Sequence, residues 1–358
     1  MVTNSNITGL EIPLVRTDVV TSRQNLEMAW SLPGSWSGVA PSENGIYATS
    51  PDADAVMALF FVKGTMPGYI REIDYDGSIR HEIPLPSFKS MRLAVAHFSG
   101  SSKPVFVMYG SFVERTPQPS DVRAYDDEGN LLWAHPSLQA ASDIAVLPSW
   151  NNSDKLAIGY ATGGFSILNS DGQLMWTSIK KRNVYHVAAG DVRGDGGPQA
   201  VSTSDDGRIH IFDLADGDIA SLDPGTPATM VRVGKLSESD RTATIFAIGA
   251  KPTDQAATVT SLSGDGNVNW SVQLPSNITP PYIYSASVAH GRPWLAVALQ
   301  GGQVYVVDAK QGTIIGSIDG QSLLPEVCWV AGKDGAPPRL VVSTGTALNG
   351  YIVGEVTR

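Results

Sequence analysis

Residues 26–33 read LEMAWSLP, and residues 266–275 read GNVNWSVQLP. Each carries a Trp-Ser pair in an alternating apolar stretch that stops at Leu-Pro, the pattern of a strand with one face buried. The second stretch follows an Asp-Gly turn. The first stands near the start of the chain with no such turn before it. What it belongs to decides the fold.

The second stretch is the end of a hairpin that recurs along the chain: IREIDYDGSIRHEIPL, VRAYDDEGNLLWAHP, FSILNSDGQLMWTSI, IHIFDLADGDIASL, VTSLSGDGNVNWSVQLP and VYVVDAKQGTIIGSI. The turn glycines are Gly77, Gly129, Gly172, Gly217, Gly266 and Gly312, spaced 52, 43, 45, 49 and 46 residues apart. That is the period of a four-stranded propeller blade. A tight hairpin turn needs positive φ, which Gly, Asn and Asp tolerate. Trp133, Trp176 and Trp270 stand four residues after their glycines, where His81, Ser221 and Gly316 stand in the other copies. Their size assigns these indoles to packing between blades.

Two short apolar strands precede each hairpin, as in RLAVAHFSGSSKPVFVMYG and HVAAGDVRGDGGPQAVSTS. Small and β-branched residues dominate them, as in inner strands packed on both faces. Each unit therefore reads as strands A and B followed by a C–D hairpin. Seven units start near residues 36, 91, 142, 185, 230, 285 and 326, and the seventh lacks its outermost strand. LEMAWSLP supplies it, with Trp30 at the tryptophan position. The sequence thus predicts an all-β, seven-bladed propeller of four-stranded antiparallel blades, closed by an N-terminal strand that completes the last blade. An open ring would leave two aggregation-prone edges. Residues 23–358 form this single domain, and residues 1–22 are read as an arm or linker.

Composition narrows the function. Net charge is −10, with no basic stripe to meet phosphate, which argues against nucleic acid. The one cysteine, Cys328 in EVCWV, reads as a small buried hydrophobe. No apolar run approaches the ~20 residues of a membrane helix. MVTNSNITG has neither the basic nor the apolar region of an export signal. The chain is expected to be a monomer.

The Asp-Gly hairpins with a later Trp resemble the quinoprotein-like, or PQQ-repeat, propellers. The loop GDVRGDGGPQAV at 190–201 resembles an FG-GAP or VCBS-type repeat. In that family the loop carboxylates bind calcium. Here Asp191 and Asp195 fit, but Arg193 and Gln199 stand where acids are expected, so the loop reads as a polar turn and no metal is assigned. Quinone dehydrogenases hold their cofactor with a vicinal cysteine pair that this chain lacks, so no cofactor is expected. Both resembled families are mostly extracytoplasmic, which implies a periplasmic or secreted setting. Arg193-Gly194-Asp195 is a tripeptide that integrins bind, but the glycine-rich turn explains it locally.

No HExxH, GxSxG, phosphate loop or dinucleotide fingerprint is present. Asp126-Asp127 and Asp205-Asp206 are paired acids in turns, where Asp closes local hydrogen bonds. In a propeller the D–A and B–C loops share the end at which the central channel opens. The residues expected just ahead of the A strands are Trp36, Arg92, Asp143, Tyr185 with His186, Met230, Tyr282 with Tyr284, and Glu326. The longest B–C insertion, 110–121, overhangs the same end. These residues form the candidate site of a non-catalytic scaffold for a protein, peptide or glycan. The alternative is a carbohydrate-active hydrolase or lyase using carboxylates and His186 there.

Overall fold

The computed structural model describes residues 24–33, 46–48, 55–62, 65–84, 88–98, 103–112, 120–137, 141–147, 154–178, 183–213, 217–289, 291–319, 325–333, 335–344 and 346–354. Trp36, the arm at 1–22, the predicted start of the first unit and residues 113–119 of the long insertion lie outside them. Within them every regular element is a strand.

The described strands form seven sheets, each built on four antiparallel strands. Blade 1 holds β3 (Ile46–Ala48), β4 (Ala55–Val62), β5 (Thr65–Asp74) and β6 (Ile79–Pro84). Blade 2 holds β7 (Phe88–Ala96), β8 (Val105–Phe112), β9 (Ser120–Tyr125) and β10 (Leu131–Ser137). Blade 3 holds β11 (Ala141–Leu147), β12 (Lys155–Tyr160), β13 (Gly164–Leu168) and β14 (Leu174–Thr177). Blade 4 holds β15 (Val184–Gly190), β16 (Gln199–Ser204), β17 (Ile209–Asp213) and β18 (Gly217–Leu222). Blade 5 holds β19 (Ala228–Gly234), β20 (Thr244–Gly249), β21 (Ala256–Leu262) and β22 (Val268–Pro275). Blade 6 holds β23 (Ile283–Val288), β24 (Trp294–Leu299), β25 (Val304–Asp308) and β26 (Thr313–Ile318). Blade 7 holds β27 (Glu326–Val330), β28 (Arg339–Ser343), β29 (Ala347–Ile352) and, outermost, β2 (Glu27–Pro33).

Register places the stretch at 26–33 in the last blade. Strand β2 runs antiparallel to β29, with Trp30 opposite Gly350 and Pro33 opposite Ala347. The stretch LEMAWSLP is the missing outer strand of the last blade. A further short strand, β1 (Gln24–Asn25), pairs parallel with β26 and adds a fifth strand to blade 6.

The apolar core lies between blades. Val56, Ala58 and Ile73 of blade 1 pack with Val341, Leu348 and Cys328 of blade 7. Tyr109 and Val122 of blade 2 pack with Ile144, Leu156 and Ile158 of blade 3. Phe165 of blade 3 stacks on Phe212 of blade 4 at 4.9 Å between centroids. Burying a side chain of this size contributes roughly 1.5–3 kcal/mol, so each blade is held chiefly by its neighbours.

The hairpin residues explain the repeat. All six turn glycines have positive φ, from 70° to 91°. At Gly77, Gly172 and Gly312 a second reason applies. Trp30, Trp133 and Trp270 each lie across the turn glycine of the next blade, and a Cβ on Gly172 would fall 2.5 Å from the Trp133 ring. Each indole donates to a main-chain carbonyl of that turn: Trp133 Nε1 to Ser170 at 2.8 Å and Trp270 Nε1 to Ala309 at 3.0 Å. Trp176 differs. It packs edge-on to Phe165 and tilted to Phe212, at 6.0 and 6.1 Å.

Candidate functional site

The antiparallel order brings the D–A connections and B–C turns to one end, and hydrogen bonds join them there. Ala228 N donates to Gly207 O at 3.0 Å, and Gln300 N donates to Tyr282 O at 2.8 Å. The inner strands begin at this end. Each of those in blades 2 to 6 slips register there, at Phe88/Ser90, Ala141/Asp143, Val184/Val187, Ala228/Met230 and Ile283/Ser285. A bulge in an inner strand turns side chains that regular alternation would not present.

These bulges correct the sequence reading in position. Asp143, Tyr185, His186 and Tyr284 were expected in loops ahead of the inner strands and lie inside them, because the strands start a residue or more earlier than their apolar pattern shows. Arg92 lies mid-strand in β7, opposite Tyr109. Glu326 opens β27, half-buried. Met230 leaves the set altogether: it is fully buried in the core between blades 5 and 6.

Asp143 is the centre of what the fold brings together. Its Oδ1 accepts the Tyr109 hydroxyl at 3.0 Å and its own neighbour Ile144 N at 3.0 Å. Its Oδ2 accepts from His186 Nδ1 at 3.0 Å and Val187 N at 3.2 Å. Arg232 Nη1 stands 3.7 Å from the same oxygen. Arg232 also donates through Nε to Ala286 O at 2.7 Å and through Nη1 to Val231 O at 2.8 Å. A polar chain therefore links blades 2, 3, 4, 5 and 6 around the inner strands. The carboxylate makes His186 Nδ1 the donor, which fixes the tautomer. Asp143 is only 8% exposed, and its charge is matched by N–H and O–H donors on both oxygens.

A second cluster sits at the B–C turn of blade 4. Ser204 Oγ donates to Asp206 Oδ1 at 2.5 Å, and His210 Nε2 lies 3.1 Å from Asp206 Oδ2. Burial alone would raise the Asp206 pKa. The hydrogen bonds from Ser204, Arg208 N and His210 outweigh it and bring the carboxyl to about 2. The two large apolar side chains exposed near this end, among the described residues, are Tyr185 at 39% and Tyr282 at 59%.

The 190–199 loop lies at the opposite end. Asp191 accepts Gly194 N through Oδ1 at 2.6 Å and Gly196 N through Oδ2 at 3.0 Å. Asp195 Oδ1 accepts Gly197 N at 3.0 Å and Gln199 Nε2 at 3.1 Å. The buried Gln199 amide also donates to Gly197 O at 2.8 Å and accepts from Val192 N at 3.0 Å. The loop is thus closed by its own N–H groups. Among the described residues no three His, Cys, Asp or Glu side chains converge to hold a metal, and no helix is long and apolar enough to cross a membrane.

Sequence reasoning missed Arg232 and the Ser204–Asp206–His210 cluster. The available signal was a charged residue inside an otherwise apolar inner strand, ATMVRVG, two residues past Met230.

No family model matches this chain, and neither does any curated protein. Solved structures do. Crystal structures of BBS1N in complex with ARL6DN, soaked with lead or with mercury, match over 94% of this chain and 99% of theirs. The TM-scores are 0.62 and 0.61 at 13% and 14% identity, which shows a shared fold.

Proposed function

We propose that this propeller is a non-catalytic binding scaffold that takes a protein, peptide or glycan at the channel mouth. One observation carries the reading: Tyr185, next to His186, and Tyr282, just ahead of β23, are exposed at the same end as a polar chain whose members are already fixed to one another. Rigid aromatics on an ordered frame lose little entropy on binding, and such residues dominate measured interfaces. The frame itself favours a scaffold over an enzyme. Both Asp143 oxygens already accept two hydrogen bonds each, whereas a general base needs a lone pair facing substrate. That BBS1N is in complex with ARL6DN supports a protein partner over a glycan. A periplasmic or secreted setting goes with this reading, on the resemblance to PQQ-repeat and FG-GAP propellers.

One observation favours the second reading, a carbohydrate-active hydrolase or lyase: the carboxylate–imidazole pair Asp143–His186 at 3.0 Å. A glycan array and a partner capture, each repeated with Tyr185→Ala and Tyr282→Ala, test the scaffold. Binding that both variants leave unchanged refutes the mouth assignment. Turnover of a chromogenic glycoside that His186→Ala abolishes establishes the enzyme instead.

A further inference from the structure

Nine large apolar side chains are exposed among the described residues, and only the two tyrosines lie near the channel mouth. The other seven fall at two adjacent positions of the repeat. Ile79, Leu131, Leu174 and Val268 each follow a turn glycine by two residues, and Met28 stands at the same distance before its tryptophan. Leu132 and Met175 follow by three. All lie at the start of an outermost strand, at the end of the ring opposite the mouth. Single exposed aliphatics need no explanation, but a set in register on adjacent blades does.

Blades 2 and 3 carry the densest part. Trp133, the residue after Leu132, reaches across to Gly172, two residues before Leu174. The pairs Leu131/Leu132 and Leu174/Met175 are therefore joined by a fixed bridge into one strip, half exposed at each residue. Strands β10 and β14 are the outer edges of their sheets.

Blade 6 displays what such an edge accepts. There β1 lies parallel to β26, and Leu26 packs in one cluster with Ile315. Ile314 and Ile315, at the same register as the exposed pairs, are half-buried. Charge decides what fits the edges that no described strand covers. The turns beside the aliphatics present the exposed carboxylates Asp76, Glu128, Asp171 and Asp265, and Lys103 is paired with Asp127 at 2.8 Å. A second copy would set carboxylates against carboxylates, which is unfavourable.

We propose that blades 2 and 3 dock an extended segment of a partner protein that alternates aliphatic and cationic side chains. The segment adds as a strand to the outer edge of β10, as β1 adds to β26, with its aliphatics on Leu131, Leu132, Leu174 and Met175 and its cations toward Glu128 and Asp171. This surface is separate from the channel mouth.

Fluorescence anisotropy of the full chain with labelled KVKVKVK, EVEVEVE, and KVKVKVK N-methylated at alternate amides tests it. KVKVKVK is expected to bind. N-methylation, which removes strand hydrogen bonds, and the double variant Leu132→Thr/Met175→Thr are each expected to weaken it roughly tenfold or more, while Tyr185→Ala/Tyr282→Ala leaves it unchanged. Equal binding of EVEVEVE, of the N-methylated peptide or to the Thr variant overturns the proposal, as does failure of KVKVKVK to bind. A wild-type dimer in sedimentation that the Thr variant dissolves overturns it in favour of a second copy.

Discussion

The Trp30 indole Nε1 donates a 3.0 Å hydrogen bond to the main-chain oxygen of Tyr75, so the outer strand of blade 7 is stapled to the C–D turn of blade 1. Arg339 Nη1 donates to the same oxygen at 2.5 Å, and its guanidinium lies 3.9 Å over the Tyr75 ring. Tyr75 OH returns a bond to Pro337 O at 2.9 Å. The seam of the ring is thus held by side chains from β2, the start of β28 and the blade 1 hairpin, as well as by the β2–β29 ladder.

Removing residues 1–33 deletes β2, opens the edge of β29 and leaves the Tyr75 oxygen without its indole donor. We expect a large fall in thermal midpoint for this truncation and little change for removal of residues 1–20. Matching melts for the two proteins would refute closure by β2.

The tryptophans divide into two kinds, and substitution should separate them. Trp133→Ala removes both packing on Gly172 and the bond to Ser170 O, a cost of ~3 kcal/mol or more. Trp133→Phe keeps packing but strands a carbonyl, at about 1 kcal/mol. Trp176 packs on Phe165 and Phe212, so Trp176→Phe should cost less than Trp133→Phe in urea unfolding. The reverse order would show that the indole bonds carry nothing.

Asp206 links stability to acidity. Its carboxyl sits at about 2 in the fold against an ordinary value of 3.8. A depressed carboxylate stabilises the fold fully above its unfolded pKa, and that contribution is lost as pH falls from about 4 to about 2. The turn is exposed, so solvent screening trims the contribution to about 1 kcal/mol. Urea midpoints of wild type and Asp206→Asn should differ at pH 6 and converge near pH 2. A gap that stays constant with pH would contradict the linkage.

Calcium should leave the melting curve unchanged. Asp191 uses both oxygens on Gly194 N and Gly196 N, and the Gln199 amide fills the position of a further acid. A ligand present at a hundredfold its Kd would add about 2.7 kcal/mol. A clear rise in midpoint with millimolar calcium over chelator would mean that the loop opens to bind it.

The fold was legible because its signals are local and repeat. A turn glycine with positive φ, a tryptophan four residues later and an apolar pair of strands before them are all readable in a short window. Even the closing strand follows from the likeness of LEMAWSLP to GNVNWSVQLP. The site was legible only in part. Asp143, Tyr185 and His186 could be placed near the mouth, but the bulges that aim them leave no composition mark. The Asp143–His186–Arg232 chain crosses blades roughly 45 residues apart, and no local pattern encodes which inner-strand residues meet. The glycine-rich loop at 190–199 read correctly as a turn, because its acids and Gln199 bond within the loop.

The pairing of β2 with β29 also orders the birth of the molecule. On the ribosome β2 emerges ahead of the inner strands of every blade, and its partner, roughly 320 residues later, emerges behind them all. Blades 1 to 6 can collapse on their neighbours as they appear, but the ring stays open until residue 352 has cleared the exit tunnel. Contacts this distant in sequence are slow to form. For most of its translation, β2 is an unsatisfied amphipathic strand that needs protection from aggregation.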